Sequence, residues 1–408
     1  MTHSPSRTRD AAFRFEYEPA TIRFGSGCVD ALEAELERQG RKRALIVCGS
    51  TVGSTPDVID PVTAGLEDRL AGVFAETTPK KRLGTAVEGL ERLEDEDADV
   101  LVSLGGGSSL DVAKVISVLA ASDCEPAAIG DEFAETGTIT VPDEGLVPIV
   151  AVPTTLAGAD LSQVAGVTAA PESGLVETEV GGGISGPGLM PAAAVYDPNL
   201  VATTPESILT GSAMNGFDKG LEAIYAANAT PVTDATAMRG LGKLEAGFRA
   251  FGRGERDTET FETILEGIVL VQYGLSRPDE TMLSIVHAFG HGLTRTYDVQ
   301  QGTAHAVVVP HVLSYLFDQE GVDARQDVLA DALGVADADD PARAVVDRVA
   351  DVRDALELPT RLRDVDGPEP DEFTAVAEAI LADSFMANAP PRLEATVEEI
   401  ETILEQAW

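Results

Sequence analysis

The sequence predicts a two-domain protein with an α/β N-terminal domain over residues 1–204 and an all-α C-terminal domain over residues 205–408. In the first half, short apolar runs end in glycine and continue into amphipathic segments, which is the pattern of strand-to-helix units in a parallel sheet. After Thr204-Pro205 the apolar residues recur with the 3.6-residue period of helices. The length of 408 residues also favours two hydrophobic cores over one.

Two strand-to-helix units are clearest in the first half. ALIVCG at 44–49 is an apolar strand that ends in glycine, and LVSLGGGSSLDVAKVISVLAA at 101–121 predicts a strand, a glycine turn and an amphipathic helix. Further apolar runs predict strands at 147–153, 164–169 and 192–198. The glycine-rich segment from Gly181 to Gly188 predicts a mobile loop near the domain junction.

The second half predicts long helices. Apolar stripes at helical spacing cover 206–227, 232–250, 258–276 and 279–295. Four of the five histidines fall between 287 and 311, namely His287, His291, His305 and His311. Such clustering indicates a site, although we expect His311, just after Pro310, to be structural.

Acidic side chains dominate the composition. The chain has 69 acidic and 29 basic side chains, a formal net charge of -40, and only six lysines. A surface of this sign disfavours nucleic acid and anionic membranes as partners, because both require basic groups that neutralise phosphates. The composition is typical of adaptation to a salt-rich cytoplasm, so we infer a halophilic protein.

Cysteine usage and the N-terminal tail indicate the cytoplasm. Cys28, Cys48 and Cys124 are an odd number at wide spacing, which fits neither a disulfide framework nor a zinc ribbon. Residues 1–12 contain no apolar signal core, and no run of 18 apolar residues occurs. We therefore expect a cytoplasmic protein.

Two motifs at predicted strand ends suit a nucleotide. Gly105-Gly-Gly-Ser108 follows an apolar strand and opens a helix, the context in which backbone N–H groups and the helix dipole bind a pyrophosphate. Asp111 and Lys114 lie one and two turns along that helix, where they can return to the same rim. Thr154 and Thr155 end another strand, where hydroxyls can bond a cofactor amide, ribose or phosphate. The alternative for the glycines is a tight turn without a ligand.

These motifs belong to a longer resemblance. FEYEPATIRFGSG, GGGSSLDVAK, VPTTLAGAD, VYDPNL and the histidine-rich segment occur in the order seen in iron-containing alcohol dehydrogenases. Within that superfamily the sequence resembles the maleylacetate reductases, through VPTTLAGAD and through His305 in GTAHAVVVPH. The resemblance implies the fold of this superfamily and of dehydroquinate synthase: a dinucleotide-binding α/β domain, a helical catalytic domain and a cleft between them. It also implies a homodimer or a larger homo-oligomer.

The resemblance assigns the cofactor contacts residue by residue. The glycine loop matches the pyrophosphate loop, and the paired threonines match cofactor contacts. Gly49 stands where NAD-preferring members often carry an aspartate on the adenine ribose, so the group that would repel a 2′-phosphate is missing and NADP is admitted beside NAD. The predicted cofactor-binding residues are Gly49, Gly105, Gly106, Gly107, Ser108, Asp111, Thr154 and Thr155.

The resemblance also implies a difference at the metal site. Metal-bearing relatives use an aspartate and three histidines, and these positions hold Asn215, Lys219, His287 and Gln301 in this sequence. Neutral amides are poor ligands for a divalent transition metal, and a lysine ammonium repels one. We therefore expect no metal bound in the manner of the family.

Lys219 is the candidate catalytic group. Hydride addition to a carbonyl builds negative charge on oxygen, which a desolvated ammonium can stabilise and protonate. Asn215 shares a helix face with Lys219 and is assigned to the substrate. His291 matches the histidine beside the nicotinamide and substrate in metal-bearing relatives, with His287 in support, and His305 is expected to contact a substrate carboxylate.

The favoured function is hydride transfer between NADH or NADPH and a small carbonyl or alcohol substrate, without a metal. Lys219 can instead lie at the surface of an inactive site, in a nucleotide-binding protein without activity. Asp218 and Glu222 can combine with His287 and His291 in a metal-dependent alcohol dehydrogenase with unusual ligands. A lyase or cyclase like dehydroquinate synthase needs a zinc site that these ligand positions lack.

Salt should stabilise this protein. Raising KCl from about 0.1 M to about 1 M shortens the Debye length from about 10 Å to about 3 Å and screens the repulsion among acidic groups. We expect the melting temperature, followed by circular dichroism, to rise by roughly 5–10 °C. A melting temperature that is constant or falls over this range would contradict the halophilic assignment.

Overall fold

The computed structural model describes residues 13, 15–17, 20–277 and 281–408, so the predicted tail of residues 1–12 lies outside the described residues. The chain divides into two compact units. The first is Glu18–Pro205, and the second is Glu206–Trp408, to which Tyr17 also belongs. Among the described residues, no helix is both long and apolar enough to cross a membrane.

A parallel sheet forms the core of the first unit, as predicted. Its order is β1-β8-β5-β4-β2-β3, and every pair of neighbouring strands is parallel. Strands buried on both faces are continuously apolar, as in Leu45, Ile46 and Val47. The strands are β1 Thr21–Phe24, β2 Ala44–Gly49, β3 Leu70–Thr77, β4 Val100–Gly105, β5 Ile149–Pro153, β6 Val164–Ala169, β7 Val180–Ser185 and β8 Ala193–Tyr196. The helices are α1 Leu32–Arg38, α2 Ser50–Gly53, α3 Pro56–Leu66, α4 Leu83–Asp95, α5 Gly107–Ala121, α6 Pro126–Thr136 and α7 Pro198–Val201.

Most of the glycine-rich segment belongs to the strand Val180–Ser185, so the prediction of a mobile loop was wrong. Strand β7 pairs antiparallel with β6 in a separate two-stranded sheet. A Cβ at Gly182 would lie 1.9 Å from the carbonyl oxygen of Gly137, and one at Gly183 would lie 2.9 Å from that of Ala165. Glycine is therefore needed here for close backbone approach rather than for mobility.

The second unit is helical, as predicted, and its first three helices end within a few residues of the predicted bounds. The fourth begins at Ile285 rather than 279, and residues 278–280 lie outside the described residues. Residues of the N-terminal segment also belong to this unit, since the ring of Tyr17 lies 4.7 Å from that of Tyr273. The helices are α8 Glu206–Tyr225, α9 Pro231–Gly252, α10 Thr258–Leu275, α11 Ile285–Thr294, α12 Gln301–Asp318, α13 Gln326–Ala332, α14 Pro341–Ala355, α15 Phe373–Leu381 and α16 Val397–Ala407.

Helices α8 and α12 approach so closely that glycine is required at their contact. A Cβ at Gly302 would lie 1.7 Å from the carbonyl oxygen of Gly211. Three residues further along α12, His305 lies beside Asp218 of α8, so the two helices run in the same direction. The glycine contact therefore sets the distance at which side chains of the two helices meet.

Replacing Gly302 by alanine should force these helices apart. We expect Gly302→Ala to cost about 1–3 kcal/mol, because the clash is with backbone, and to lower the melting temperature by roughly 2–10 °C. Gly242→Ala is the matched control: it lies exposed within α9, and its Cβ would meet only the carbonyl oxygen of Ala332, at 3.5 Å. Its melting temperature should stay equal or rise, since alanine favours helix. Equal melting temperatures for both variants would show that the contact is not tight.

Candidate active site

The predicted cofactor residues of the first unit lie at the carboxyl ends of three neighbouring strands. Gly49 ends β2, Gly105 ends β4, and Thr154 and Thr155 follow β5. These strands are adjacent, and Gly105 pairs with Pro153 across them. This edge is where open parallel sheets bind their ligands.

The glycine loop leaves backbone N–H groups accessible. Gly105 has a φ of 129°, which residues with a Cβ rarely adopt. Gly106 is the N-cap of α5, and no described side chain caps this helix by a hydrogen bond. A Cβ at Gly106 would meet Thr155 Cγ2 at 3.2 Å, and one at Gly107 would meet Ala159 Cβ at 3.2 Å. The free N–H groups and the positive end of the helix dipole suit a phosphate.

Neighbouring groups hold this edge in place. The Thr154 N–H donates to the Gly105 carbonyl oxygen at 3.0 Å, and the Thr154 carbonyl accepts from the Thr204 hydroxyl at 2.6 Å. Ser108 is half-buried in the first turn of α5. Gly49 packs against β3, since its Cβ would lie 3.2 Å from the Thr77 carbonyl oxygen.

The two charged residues of α5 have partners of their own. Asp111 Oδ2 lies 2.5 Å from Lys81 Nζ. The fully buried Lys114 donates to the carbonyl oxygens of Ser162 and Val164, at 2.7 and 2.9 Å. Lys114 thus fastens α5 to the segment that enters β6, instead of returning to the loop as expected.

In the second unit, three helices contribute the predicted catalytic and substrate residues. Helix α8 carries Asn215 and Lys219, α11 carries His287 and His291, and α12 carries His305. The structure divides these residues by burial. His287 and His305 are buried beside two carboxyl groups of α8, whereas Lys219 and His291 are partly exposed.

The buried group consists of Asp218, Glu222, His287 and His305, all at most 2% exposed. Asp218 Oδ2 lies 3.2 Å from His287 Nδ1 and 3.3 Å from His305 Nδ1. Glu222 Oε2 lies 2.6 Å from His287 Nδ1, a hydrogen-bond distance. The centroids of the two imidazole rings are 4.5 Å apart, and the ring planes meet at 68° in an edge-to-face arrangement. We call these four residues the acid–histidine cluster.

Burial governs the protonation of this cluster. Loss of solvent raises the pKa of Asp218 well above its ordinary value, and the nearby Glu222 raises it further while Lys219 opposes both effects. Loss of solvent also raises the pKa of Glu222 to about 8, against backbone N–H groups and Lys219, which lower it. The pKa values of His287 and His305 are lowered, first by burial, so both imidazoles are neutral at pH 7.

Glu222 also fixes the start of α11. Its Oε1 accepts hydrogen bonds from the backbone N–H groups of Val286 and His287, at 2.9 and 3.1 Å. These N–H groups have no partner within the helix, and a carboxylate there also meets the positive end of the helix dipole. The predicted start of this helix was residue 279. The contact with Glu222 explains why α11 begins at Ile285 instead.

His291 belongs to a different group of side chains. Its Nδ1 lies 2.9 Å from Asp383 Oδ2, and its ring lies 4.8 Å from that of Phe385. Arg295 Nη2 lies 3.1 Å from the same carboxylate oxygen. The His291 side chain keeps 29% of its surface exposed, whereas Asp383 is buried. His291 is therefore not part of the alternative ligand set with Asp218 and Glu222; His305 takes its place.

The four positions that the resemblance assigns to metal ligands do not suit a metal. Asn215 is half-buried, and its Oδ1 accepts no hydrogen bond from the described residues. Burial first, and the Lys219 charge in addition, lower the pKa of His287 and His305, and an ammonium at a ligand position repels a metal cation. Gln301, a neutral amide, begins α12. Of the four, only His287 offers a good ligand atom.

Sequence reasoning missed Asp383 and the pairing of Asp218 with His305. Asp383 lies about ninety residues beyond His291, and only the packing of its segment against α11 brings the two together. Asp218 and Glu222 are visible as an i, i+4 carboxylate pair. Which histidine meets them depends on the register of α12 on α8, which helical periodicity does not determine.

A parallel α/β unit with a glycine loop at its strand ends, followed by a helical unit with an acid–histidine cluster, defines the class as a two-domain protein whose first unit suits a nucleotide. Comparison with protein families identifies it further. The family model described as "Iron-containing alcohol dehydrogenase" matches residues 19–198. The family model described as "Fe-containing alcohol dehydrogenase family, C-terminal" matches residues 210–408. The chain belongs to the iron-containing alcohol dehydrogenase family.

Individual relatives agree with this assignment. Lactaldehyde reductase from Escherichia coli strain K12 is 28% identical over 95% of this chain and 98% of the relative. Maleylacetate reductase from Pseudomonas knackmussii is 27% identical over 91% of this chain and 92% of the relative, which confirms the expected likeness to that branch. A solved 1,3-propanediol oxidoreductase shares the fold, with a TM-score of 0.84 and 23% identity over 97% of this chain and all of the other.

Adding a methyl group to the glycine loop should weaken cofactor binding. We expect Gly106→Ala to lower the affinity for NADPH and NADH at least about tenfold, because the methyl crowds Thr155 where a pyrophosphate would approach. Titration of cofactor fluorescence measures this. Gly181→Ala is the control, since its Cβ meets no atom within 4 Å on the exposed strand β7. Equal affinities in the two variants would mean that the loop does not bind the cofactor.

Proposed function

We propose that this protein is an NAD(P)H-dependent carbonyl reductase or alcohol dehydrogenase in which the Lys219 ammonium takes the place of the family metal at the substrate oxygen. The observation that carries the proposal is a half-buried lysine, among only six in the chain, that stands at a ligand position of the family and directly follows Asp218 of the acid–histidine cluster on α8. Such a charge is little screened by water, so it can act strongly on a neighbouring oxygen.

The chemistry needs one hydride and one proton. A bound reduced nicotinamide would supply the hydride for the carbonyl carbon, and the electron pair of the C=O bond would move onto oxygen. The Lys219 ammonium stabilises this developing oxyanion and donates the proton that yields the alcohol. Oxidation of an alcohol follows the same path in reverse. The uncharged Asn215, one turn away, is proposed to orient the substrate by hydrogen bonding.

His291 is proposed to orient the substrate and relay protons. Asp383 holds Nδ1 of the partly exposed ring, which leaves Nε2 available to a ligand or to water. His287 has the supporting role of fixing the cluster next to Lys219. His305, expected as a substrate contact, is fully buried, which favours a role inside the cluster over contact with a substrate carboxylate.

The cofactor and substrate classes follow from two further observations. Gly49 ends β2 without the carboxylate that would exclude a 2′-phosphate, which supports NADPH as well as NADH. The relatives named lactaldehyde reductase and maleylacetate reductase support a small, oxygen-rich carbonyl substrate. We also propose a homo-oligomer, to be tested by light scattering of the purified protein.

Removing the Lys219 ammonium should abolish most turnover. With a panel of aldehydes, ketones and keto acids, we expect Lys219→Ala to lower kcat/KM about 100-fold or more, the effect of losing one oxyanion-stabilising group. NADPH and NADH oxidation should be followed in about 1 M KCl with EDTA present. Cofactor affinity should change little, because the predicted cofactor residues lie in the other unit.

Lys243→Ala is the matched control, because Lys243 forms an ion pair with Glu266 between α9 and α10 and its side chain is one-quarter exposed. It should retain the activity of the unaltered protein. Full activity of Lys219→Ala would refute the catalytic role. Cofactor binding without turnover of any carbonyl would instead support a nucleotide-binding protein without activity.

A further inference from the structure

The acid–histidine cluster contains buried polar atoms that the proposed chemistry does not use. Both carboxylate oxygens of Asp218 and both ring nitrogens of His305 are buried without a hydrogen-bond partner among the described residues. Both side chains are completely inaccessible to solvent. Unsatisfied polar groups at such depth are costly and rare, so their concentration at one point indicates a ligand that they bind.

The spacing of these atoms is that of ligands around one ion. Single atoms of Asp218, His287 and His305 all lie within 4.8 Å of one another. The Asp218 oxygen is 3.2 and 3.3 Å from the two imidazole nitrogens. Tetrahedral coordination with bonds of about 2.0–2.1 Å separates neighbouring ligand atoms by about 3.3 Å. The three side chains can therefore bind a common ion with little movement.

The cluster also lies one helical turn from the family's ligand positions. On α8, Asp218 lies three residues after Asn215, and Glu222 three after Lys219; on α12, His305 lies four after Gln301. Because α8 and α12 run in the same direction, both shifts point the same way. His287 belongs to both sets. The family positions on α8 and α12 thus lack an aspartate and a histidine, and both residue types occur together about one turn further along the same two helices.

We propose that Asp218, His287 and His305 form a buried site for a divalent transition metal, distinct from the position of the family metal. Two imidazoles and a carboxylate favour Zn²⁺, Fe²⁺ or Co²⁺ over Mg²⁺ and Ca²⁺, which prefer oxygen ligands. Ion binding would displace the proton that His287 Nδ1 shares with Glu222, which leaves Glu222 beside it as a second carboxylate, so two negative charges balance the ion. Binding would displace protons from these groups.

This ion has a structural role. All its ligands are at most 2% exposed, so the site offers no open position to a substrate. It would join α8, α11 and α12 and fix the backbone that carries Lys219. The site does not depend on the proposed reductase function, and Lys219 remains the proposed group at the substrate oxygen in either case.

Metal content and stability test the site without reference to activity. Protein stripped of metal by partial unfolding with a chelator and then refolded should bind one equivalent of Co²⁺, with the visible absorption of a low-symmetry Co²⁺ site. Zn²⁺ should raise the melting temperature by roughly 5 °C or more. Binding below about one-tenth of an equivalent, with no change in melting temperature, would overturn the proposal.

Variants identify the ligands. Asp218→Asn and His305→Gln should each weaken Co²⁺ binding at least about 100-fold, because each removes a ligand. His311→Gln is the control on the same helix, since His311 lies outside the cluster, and it should bind as the unaltered protein does. Binding unchanged in both ligand variants would place the metal elsewhere and refute the site.

Lys219→Ala separates this proposal from the proposed function. Removing the nearby positive charge should strengthen Co²⁺ binding roughly tenfold or more, because the ammonium repels the ion. The same variant should lose turnover if Lys219 is catalytic. Stronger binding with retained turnover would support the metal site and refute the catalytic role; weaker binding would contradict the metal site, whatever happens to turnover.

Discussion

The structure of the helical unit depends on the burial of two carboxyl groups on one face of α8. Asp218 and Glu222 are fully inaccessible, one turn apart, and face two neutral imidazoles. Burying a carboxylate is unfavourable unless its charge and its lone pairs are matched. The surrounding elements match them in part: the first N–H groups of α11 bind Glu222, and the ammonium of Lys219 lies nearby. The start of α11 therefore follows from this constraint.

Glycine makes this arrangement sterically possible. Gly302 lets α12 contact the backbone of α8 at Gly211, and a Cβ at Gly290 would lie 2.4 Å from His305 Nε2. A larger residue at either glycine would move His305 away from Asp218. The α/β unit uses the same principle at a different point, where Gly106 and Gly107 keep the start of α5 open to a ligand. In both units, the absence of a side chain determines which polar groups can act together.

The sequence was sufficient for the architecture, whereas the roles assigned to the site residues stay predictions. Apolar runs predicted β2 and β5, and helical periodicity predicted α8, α9 and α10 closely. It failed where long-range packing decides: glycines at 181–183 form a strand because another backbone approaches them. Likewise, Asp383 meets His291 only through tertiary packing. Local patterns encode what a segment can become, and packing decides which side chains meet.

The charge of the cluster connects the two roles proposed for the helical unit. Two ionised carboxylates beside neutral imidazoles would leave two negative charges in a medium of low dielectric constant, and Lys219 supplies one positive charge. The remainder must be neutralised by a proton on a carboxyl group or by a bound cation. A single added proton cannot provide hydrogen bonds for both Asp218 oxygens and both His305 nitrogens. A divalent ion would satisfy one lone pair on each of three residues at once, and its two positive charges would balance both carboxylates. Neutralising the cluster would then not require the Lys219 ammonium, which is proposed to act on a substrate oxygen.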